Sequence, residues 1–381
     1  MRKDLRESCK SAIIQSCFSD KGGFRVSACP HTEQFLLEQL SRHPASQLQD
    51  LRKALYQSAF GCGHLVEDPS AAADWIRREA AESASADQEV ERLDGPWSRV
   101  PLGMLADSLT PETLAAAFAA SAAIPGEDTH GLEQRLETLL ALIREKKLPF
   151  SLSDAEAEIN AWRAAGYPAC HHSDAYRAAY RPAYRVLHKR YVRLLPLLAA
   201  IDHALASKPR VLLAVEGGSA SGKSTLADLL AGLYPDSAVF HADDFFLRPE
   251  QRTEARYAQP GGNLDRERLE TEILIPLSRG ENPEYRPFDC RTMSLAAPQH
   301  GQVARLNIVE GSYSLHPELE RCYDLSVFLE ISPETQRRRV LERNGPEWGQ
   351  RFFERWIPLE NTYHEATRIA ERCTLRLEEE P

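Results

Sequence analysis

The hydrophobic pattern of the chain changes near residue 205. Before that point, apolar residues recur at helical spacing. The clearest stretches lie at residues 35–40, 48–56 and 132–143. Asp128 or Thr129 is placed to cap the last of these, and a final long helix is predicted from Pro182 to Ala206, with Pro196 as a kink. Because no stretch alternates like a strand for long, residues 1–205 are predicted to form a mainly α-helical domain.

Beyond residue 205, short apolar runs alternate with helical segments. The apolar runs are Val211–Val215, Ala238–His241, Leu306–Val309 and Leu325–Ile331, and the helical segments are Thr225–Leu233, Arg266–Ile275 and Pro333–Glu342. Such alternation is typical of βα units and indicates a parallel sheet with helices on both faces. Residues 206–381 are therefore predicted to form an α/β domain.

Composition and charge narrow the class of protein. The 381 residues suit two domains, and 46 basic against 56 acidic residues give a net charge of −10. Such a chain has no general attraction to nucleic acid or to an anionic membrane. No apolar run approaches the roughly 20 residues that span a bilayer, and no secretion signal is recognisable. The eight cysteines, without a C-x-x-C pair, are expected to be reduced thiols in a cytoplasmic protein.

The strongest motif is a phosphate-binding loop. The segment Gly217-Gly218-Ser219-Ala220-Ser221-Gly222-Lys223-Ser224-Thr225 fits G-x-x-x-x-G-K-[ST] in full. A strand-like run leads into it and a helix-like run leaves it, which argues against a chance Gly/Ser-rich turn. Glycines let the backbone N–H groups approach phosphate oxygens. Lys223 is expected to contact the β- and γ-phosphates of ATP, and the Ser224 hydroxyl to bind Mg²⁺.

Two acidic segments follow predicted strands. Asp243 and Asp244 come after the second apolar run of this half, and Glu310 ends the third. Carboxylates at these ends face the ligand crevice of a parallel sheet. One of them could accept the proton of an attacking hydroxyl, and others could hold Mg²⁺. The alternatives are a polar acidic loop for the aspartates and an ordinary strand-end turn for Glu310.

Arginines cluster on one predicted helix. They are Arg337, Arg338, Arg339 and Arg343. Arg339 and Arg343 are i, i+4 neighbours and share a face. An arginine that closes over ATP would neutralise charge that develops during transfer. The alternative is a solvated helix face.

With these motifs in this order, residues 206–381 resemble the uridine kinase and phosphoribulokinase branch of P-loop kinases, with pantothenate kinase as a further relative. Asp243-Asp244-Phe245-Phe246 is similar to the D-S-F-Y element of that family. The resemblance implies that Asp243 is the catalytic base and that Glu310, in the E-G turn, lies near Mg²⁺. The segment Ile357–Tyr363 is similar to the one that follows the lid in uridine kinases.

The resemblance also suggests where the acceptor would bind. Asn263 and Asp265 stand where the family has a substrate-contacting stretch, and Asp289 and Arg291 could bind a polar acceptor. The histidine with which uridine kinases read the pyrimidine has no counterpart before His300. The expected partner is therefore a small hydroxylated molecule, nucleoside-like or other, rather than uridine in particular.

The first half carries one unusual stretch. His171 and His172 precede Tyr176, Tyr180 and Tyr184, which are spaced by four and would line one helical face. Such a stripe could stack a base or bind a phosphorylated group; the alternative is an interface face. A metal site that joins the two histidines to His64 is a weaker alternative, since structural histidines are the usual case.

The preferred hypothesis is an ATP- and Mg²⁺-dependent kinase of a small molecule. A nucleotide-gated regulatory or scaffold protein, whose helical half binds a macromolecule, is a second hypothesis. A kinase of cell-wall or nucleotide-sugar precursors is a third. A homo-oligomer is compatible with each.

Overall fold

The computed structural model describes residues 32–63, 69–82, 89–106 and 109–379. The described chain divides into two compact units, one ending at Ala199 and the other beginning at Ala200. His64, a candidate metal ligand from the sequence, lies outside the described residues. No helix among them is long and apolar enough to cross a membrane.

The first unit consists of helices and a small sheet. The helices are α1 (Thr32–Arg42), α2 (Leu48–Phe60), α3 (Pro69–Glu82), α4 (Pro111–Ala122), α5 (Thr129–Arg144), α6 (Leu152–Ala164), α7 (Asp174–Tyr180) and α8 (Lys189–Val192). Three antiparallel strands, β1 (Glu91–Arg92), β2 (Trp97–Pro101) and β3 (Tyr184–His188), form the sheet in that order. Asp128 caps α5 by accepting the N–H groups of His130 and Gly131, so its predicted role is confirmed.

The long helix predicted from Pro182 to Ala206 is wrong. The segment contains β3, α8 and the helix α9 (Leu195–Ser207), and its beginning is extended. Arg181 adopts a left-handed conformation that ends α7, and the proline after it cannot continue a helix with the usual hydrogen bonds. Pro196 lies in the first turn of α9, where no intrahelical N–H is lost, so it starts a helix instead of kinking one.

The predicted tyrosine stripe is not a single helical face. Tyr176 and Tyr180 lie on α7, whereas Tyr184 opens β3, so the three residues do not share one helical face. His171 is exposed, and His172 is buried with both ring nitrogens hydrogen-bonded. No group of three metal-binding side chains occurs in the parts of the chain that the structure describes.

The second unit is built on a parallel sheet. Its strands are β4 (Val211–Gly217), β5 (Ser237–His241), β6 (Glu284–Tyr285), β7 (Phe288–Asp289), β8 (Ser294–Leu295), β9 (Gln299–His300), β10 (Leu306–Glu310), β11 (Leu325–Leu329) and β12 (Leu375–Leu377). Five of them form the sheet in the order β12-β11-β4-β10-β5, all parallel. The others form two antiparallel ribbons, β6 with β9 and β7 with β8. The predicted parallel α/β sheet is confirmed.

Helices flank this sheet. They are α10 (Lys223–Leu233), α11 (Glu254–Tyr257), α12 (Arg266–Arg268), a π-helical turn (Leu269–Leu274), α13 (Ile275–Arg279), α14 (Pro333–Arg351), a second π-helical turn (Phe352–Trp356), α15 (Ile357–Thr367) and α16 (Ile369–Arg372). The central strands β4, β10 and β11 are buried along their whole length, as expected for a sheet covered on both faces.

The register of the sheet brings three strand ends together. Glu310 at the end of β10 pairs with Val215 of β4 on one side and with His241 of β5 on the other. Residues that follow these strands therefore meet at one edge. This is the edge at which open α/β sheets bind ligands.

Candidate active site

The phosphate-binding loop leaves β4 at Gly217 and enters α10 at Lys223. Gly217 has φ 149°, and a Cβ on it would lie 2.7 Å from the Leu329 carbonyl oxygen. Gly222 has φ 99°, which side-chain-bearing residues rarely adopt. Both glycines are thus required by the backbone path, and that path aims the N-terminus of α10 at the loop.

The interior of the loop fits a phosphate group. Lys223 Nζ donates to the Gly218 carbonyl oxygen at 2.9 Å, so the ammonium group folds back over the loop. The buried Ser221 Oγ has no hydrogen-bond partner among the described residues. A cation and an unpaired hydroxyl inside a glycine-rich turn are suited to an anionic ligand. The residues present therefore fit the polyphosphate of a nucleotide.

Ser224, Glu310 and His241 form a hydrogen-bonded cluster beside the loop. Ser224 Oγ donates to Glu310 Oε1 at 3.1 Å, and His241 Nδ1 lies 2.6 Å from the same oxygen. The hydrogen bond to Glu310 raises the pKa of His241. A hydroxyl and a carboxylate are hard oxygen ligands of the kind that Mg²⁺ takes together with phosphate oxygens and water. This donor set fits Mg²⁺.

Asp243 and Asp244 follow β5 in a short 3₁₀ turn. Asp243 is an exposed residue, yet the protein around its carboxyl partly desolvates it, and this desolvation raises the pKa of the carboxyl. The charge of Lys223 opposes that shift, and the charge of Glu310 adds to it. Desolvation likewise raises the pKa of Asp244, against the effect of His241. These groups therefore interact electrostatically at one strand edge.

A carboxylate from α15 holds the outer side of the loop. Glu360, which is buried, accepts the Ser219 backbone N–H at 2.8 Å and its hydroxyl at 2.6 Å. Ser312 Oγ donates to the same carboxylate at 2.9 Å. From α14, Gln336 Nε2 donates to the Ser219 carbonyl oxygen at 2.9 Å. Two helices thus fix one loop residue; the resemblance of the segment Ile357–Tyr363 to uridine kinases marked the position of Glu360 but assigned it no contact with the loop.

A second buried carboxylate lies directly before the loop. Glu216 accepts the backbone N–H groups of Gly217, Tyr313 and Leu315 at 2.9–3.1 Å and the hydroxyl of Tyr363 at 3.2 Å. Burial raises its pKa to about 7, although these hydrogen bonds act in the opposite direction. Glu216 therefore ties the phosphate loop to the turn after β10 and to α15.

Only one of the four clustered arginines contacts the loop. Arg339 Nη1 donates to the Ala220 carbonyl oxygen at 3.4 Å. Arg343 lies 5.5 Å above the Phe352 ring and donates to Asn344 instead. The other two lie over Phe353 or pair with Glu342.

The four acceptor-site candidates differ in environment. Asn263 is buried and hydrogen-bonds Tyr313. Asp265 caps α12, and its other oxygen, Oδ2, has no hydrogen-bond partner in the described chain. Asp289 lies on the β7–β8 ribbon and accepts the Arg291 backbone N–H at 2.8 Å, whereas the Arg291 side chain is 93 % exposed. Asp265 and Asn263 thus have structural contacts of their own.

Beside the aspartates, the fully buried Phe245 and the half-buried Tyr285 belong to the hydrophobic core of the unit. Phe245 stacks on Tyr285 with ring centres 5.8 Å apart. The Arg268 guanidinium lies 5.1 Å from the Phe245 ring centre. These residues come from three separate elements, so only the fold brings them together.

Comparisons with known proteins give a fold-level result. No protein-family model matches the chain, and no curated protein matches it. Among solved structures, a candidate uridine kinase from Bacillus stearothermophilus is 19 % identical, with a TM-score of 0.36 over 46 % of this chain and 96 % of that one. A candidate fructose transport system kinase from a Silicibacter species is 23 % identical, with a TM-score of 0.31 over 44 % and 89 %.

A protein from Thermus thermophilus is 20 % identical, with a TM-score of 0.27 over 46 % of this chain and 91 % of that one. At these scores the likeness carries no conclusion about activity. The assignment to the α/β P-loop fold rests on the parallel sheet and the glycine-rich loop between β4 and α10.

Proposed function

We propose that the second unit is a kinase that transfers the γ-phosphoryl group of ATP to a hydroxyl of a small molecule. The observation that carries this proposal is the position of Asp243 and Glu310 at adjoining strand ends beside the phosphate loop, where the charges of Lys223 and Glu310 both act on the Asp243 carboxyl. A protein that only binds a nucleotide needs the loop but has no need of a base. A kinase needs a base beside a metal-side carboxylate.

In this proposal, the residues of the site mainly position the substrates and stabilise charge. Asp243 accepts the proton of the acceptor hydroxyl, and its raised pKa brings its basicity closer to the working pH. Lys223 and Arg339 spread the negative charge that develops on the phosphoryl oxygens. Arg343 would join them only after α14 moves. Ser224 and Glu310, with Asp244 beside them, would hold Mg²⁺, which neutralises phosphate charge when bound.

The acceptor is proposed only as a class. Phe245 is fully buried and Arg268 is paired with Glu272, so the half-buried Tyr285 is the aromatic group proposed to contact a ring or an aliphatic chain of the acceptor. Asn263, Asp265, Asp289 and Arg291 remain candidates for contact with the acceptor. An ATP-consumption screen over nucleosides, vitamins, sugars and amino alcohols would identify it.

The test replaces Asp243 by Asn and measures Mg-ATP binding and acceptor-stimulated turnover separately. We expect binding to remain near the wild-type level and turnover to fall by about 10²–10⁴-fold, the usual contribution of a general base. Asp228→Asn, an exposed aspartate on α10, is the matched control and should leave turnover unchanged. Equal turnover in the Asp243→Asn and wild-type proteins would exclude the assigned role.

A further inference from the structure

His241, at the end of β5, is a polar group of the candidate active site to which the proposed kinase assigns no role. Its backbone pairs with Glu310 of β10 in the parallel register. Neighbouring strands lie about 4.8 Å apart, and paired residues of a parallel ladder direct their side chains to the same face. Both residues end their strands at the edge of the sheet that also carries the phosphate loop. The fold therefore places the imidazole ring directly beside the Glu310 carboxylate.

The two carboxylate oxygens of Glu310 differ in their surroundings. Oε1 lies 2.6 Å from His241 Nδ1 and accepts the Ser224 hydroxyl at 3.1 Å. Oε2 accepts no hydrogen bond from the described residues, and it keeps some accessible surface although the side chain is only 7 % exposed. One oxygen of this carboxylate is thus occupied by protein donors, and the other is open to a ligand.

The direction of each hydrogen bond follows from the chemistry of its partners. A carboxylate only accepts, so His241 Nδ1 and Ser224 Oγ both direct a proton towards Oε1. Nδ1 can carry this proton in the neutral and in the charged ring, so the hydrogen bond does not require a charged histidine. A serine hydroxyl has one proton and two lone pairs. When its proton points to Oε1, both lone pairs of Ser224 Oγ are turned away from Glu310 and are free to bind a cation.

His241 is the group that keeps Oε1 in this position. Among the residues that the structure describes, only His241 and Ser224 donate to Glu310. The Ser224 hydroxyl rotates to suit its acceptor, whereas Nδ1 belongs to a rigid ring on a strand. The last torsion of a glutamate side chain is broad and roughly two-fold, so a carboxylate held by Ser224 alone could exchange its two oxygens. The imidazole removes that freedom.

We propose that His241 is a positioning residue for the metal ion of this site. By fixing Glu310 Oε1, it presents Glu310 Oε2 and the lone pairs of Ser224 Oγ together. These are two hard oxygen ligands of the kind that Mg²⁺ takes. Groups that orient metal ligands in this way contribute about 10- to 100-fold to metal affinity. The role of His241 rests on the proposed function, since that function requires Mg²⁺ to bind at Ser224 and Glu310.

Isothermal titration calorimetry with ADP tests the proposal without an acceptor. The Kd of ADP is measured on the full chain in EDTA and again in Mg²⁺ that saturates ADP. The ratio of the two constants is the factor by which the metal strengthens nucleotide binding. In His241→Leu, which has no donor, we expect an unchanged Kd in EDTA and a ratio that falls by about tenfold or to one. Because the His241 side chain is 49 % exposed, this substitution leaves the core intact.

A conservative variant and a control separate the hydrogen bond from other effects. His241→Asn places an amide N–H near the position of Nδ1 and should restore most of the ratio. His300→Leu is the matched control: His300 Nδ1 lies 3.8 Å from Glu284, but its side chain is 75 % exposed on the β6–β9 ribbon, so the ratio should not change.

The outcomes distinguish the role of His241 from the proposed function. A ratio of one in the wild-type protein would overturn the proposed metal site together with the role of His241. A ratio well above one that His241→Leu leaves unchanged would overturn the role of His241 alone. A ratio in His241→Asn as low as in His241→Leu would do the same, because the donor would then not be the cause.

Discussion

Replacing Glu360 by Gln should weaken the binding of Mg-ADP, because this carboxylate holds the phosphate loop from outside. Glu360 Oε2 accepts the Ser219 N–H, and Oε1 accepts the hydroxyls of Ser219 and Ser312. In the variant, the amide oxygen can still accept the backbone N–H. The amide NH₂ can donate to the hydroxyls, which can rotate to accept. The variant therefore keeps hydrogen bonds and loses their charge assistance.

The magnitude follows from that exchange. A hydrogen bond to a charged group contributes about 1.5–3 kcal/mol and one between neutral groups about 0.5–1.5 kcal/mol. The loss is therefore about 1–1.5 kcal/mol for each hydrogen bond, or about 2–3 kcal/mol for the two from Ser219, which corresponds to roughly a 30- to 150-fold increase in Kd if the ligand must reorder the loop. Glu360→Ala also leaves the Ser219 N–H unpaired, so its effect should be larger.

Calorimetry with Mg-ADP measures this without knowledge of the acceptor. Glu365→Gln, which removes an exposed carboxylate from the same helix, is the matched control and should leave the Kd unchanged. The free energy of unfolding, measured on each variant, separates a local effect from a global one. A Kd that is unchanged or lower in Glu360→Gln would refute the reasoning, since repulsion between Glu360 and the phosphates would then outweigh the support it gives the loop.

Two further predictions concern the first unit. Gly61→Ala should destabilise this unit more than Gly166→Ala does. Both glycines have positive φ, but only at Gly61 would the added Cβ meet a neighbour, the Trp97 ring at 2.5 Å. Thermal unfolding of both variants measures the difference, and equal losses of stability would contradict the predicted clash. Burial lowers the pKa of His172 to about 4. As the pH falls, the unfolded chain therefore binds a proton at this histidine before the folded chain does. The free energy of unfolding should fall between pH 6.5 and 4, by at most roughly 3 kcal/mol from this group. His172→Gln should flatten that part of the pH profile and leave the contribution of His364, which burial shifts in the same direction; an unchanged slope would contradict the assignment.

The parallel sheet and the phosphate loop could be predicted because their signals are local. The residues from Gly217 to Thr225 are contiguous, and the strand before them is a continuous apolar run. The position of Glu310 beside Ser224 follows from one rule about parallel strands and needs no further contact. Local signals of this kind can be recognised without knowledge of the rest of the fold.

The segment from Pro182 to Ala206 shows why other parts could not be predicted. Its apolar residues are compatible with a helix, and what makes β3 a strand is pairing with β2, more than eighty residues earlier, as in the register of Tyr184 with Pro101. Short apolar segments take the conformation that their long-range partners impose. Tyr176, Tyr180 and Tyr184 nevertheless line one cavity. They do so from a helix and a strand, an arrangement that helical spacing does not predict.

The carboxylates around the phosphate loop show that the same limit applies to the candidate site. Glu216 and Glu360 lie 144 positions apart in the sequence and neither belongs to a phosphate-binding motif, yet together they accept hydrogen bonds from Gly217 and Ser219. Each buried carboxylate must be hydrogen-bonded to be tolerated, and the loop supplies one donor to Glu216 and two to Glu360. The loop is in turn fixed in the open, glycine-dependent shape that phosphate needs. A pattern of residue types identifies the loop, but the groups that keep it ready to bind are selected by the fold, which is why their effect has to be measured on Glu360 and not inferred from the motif.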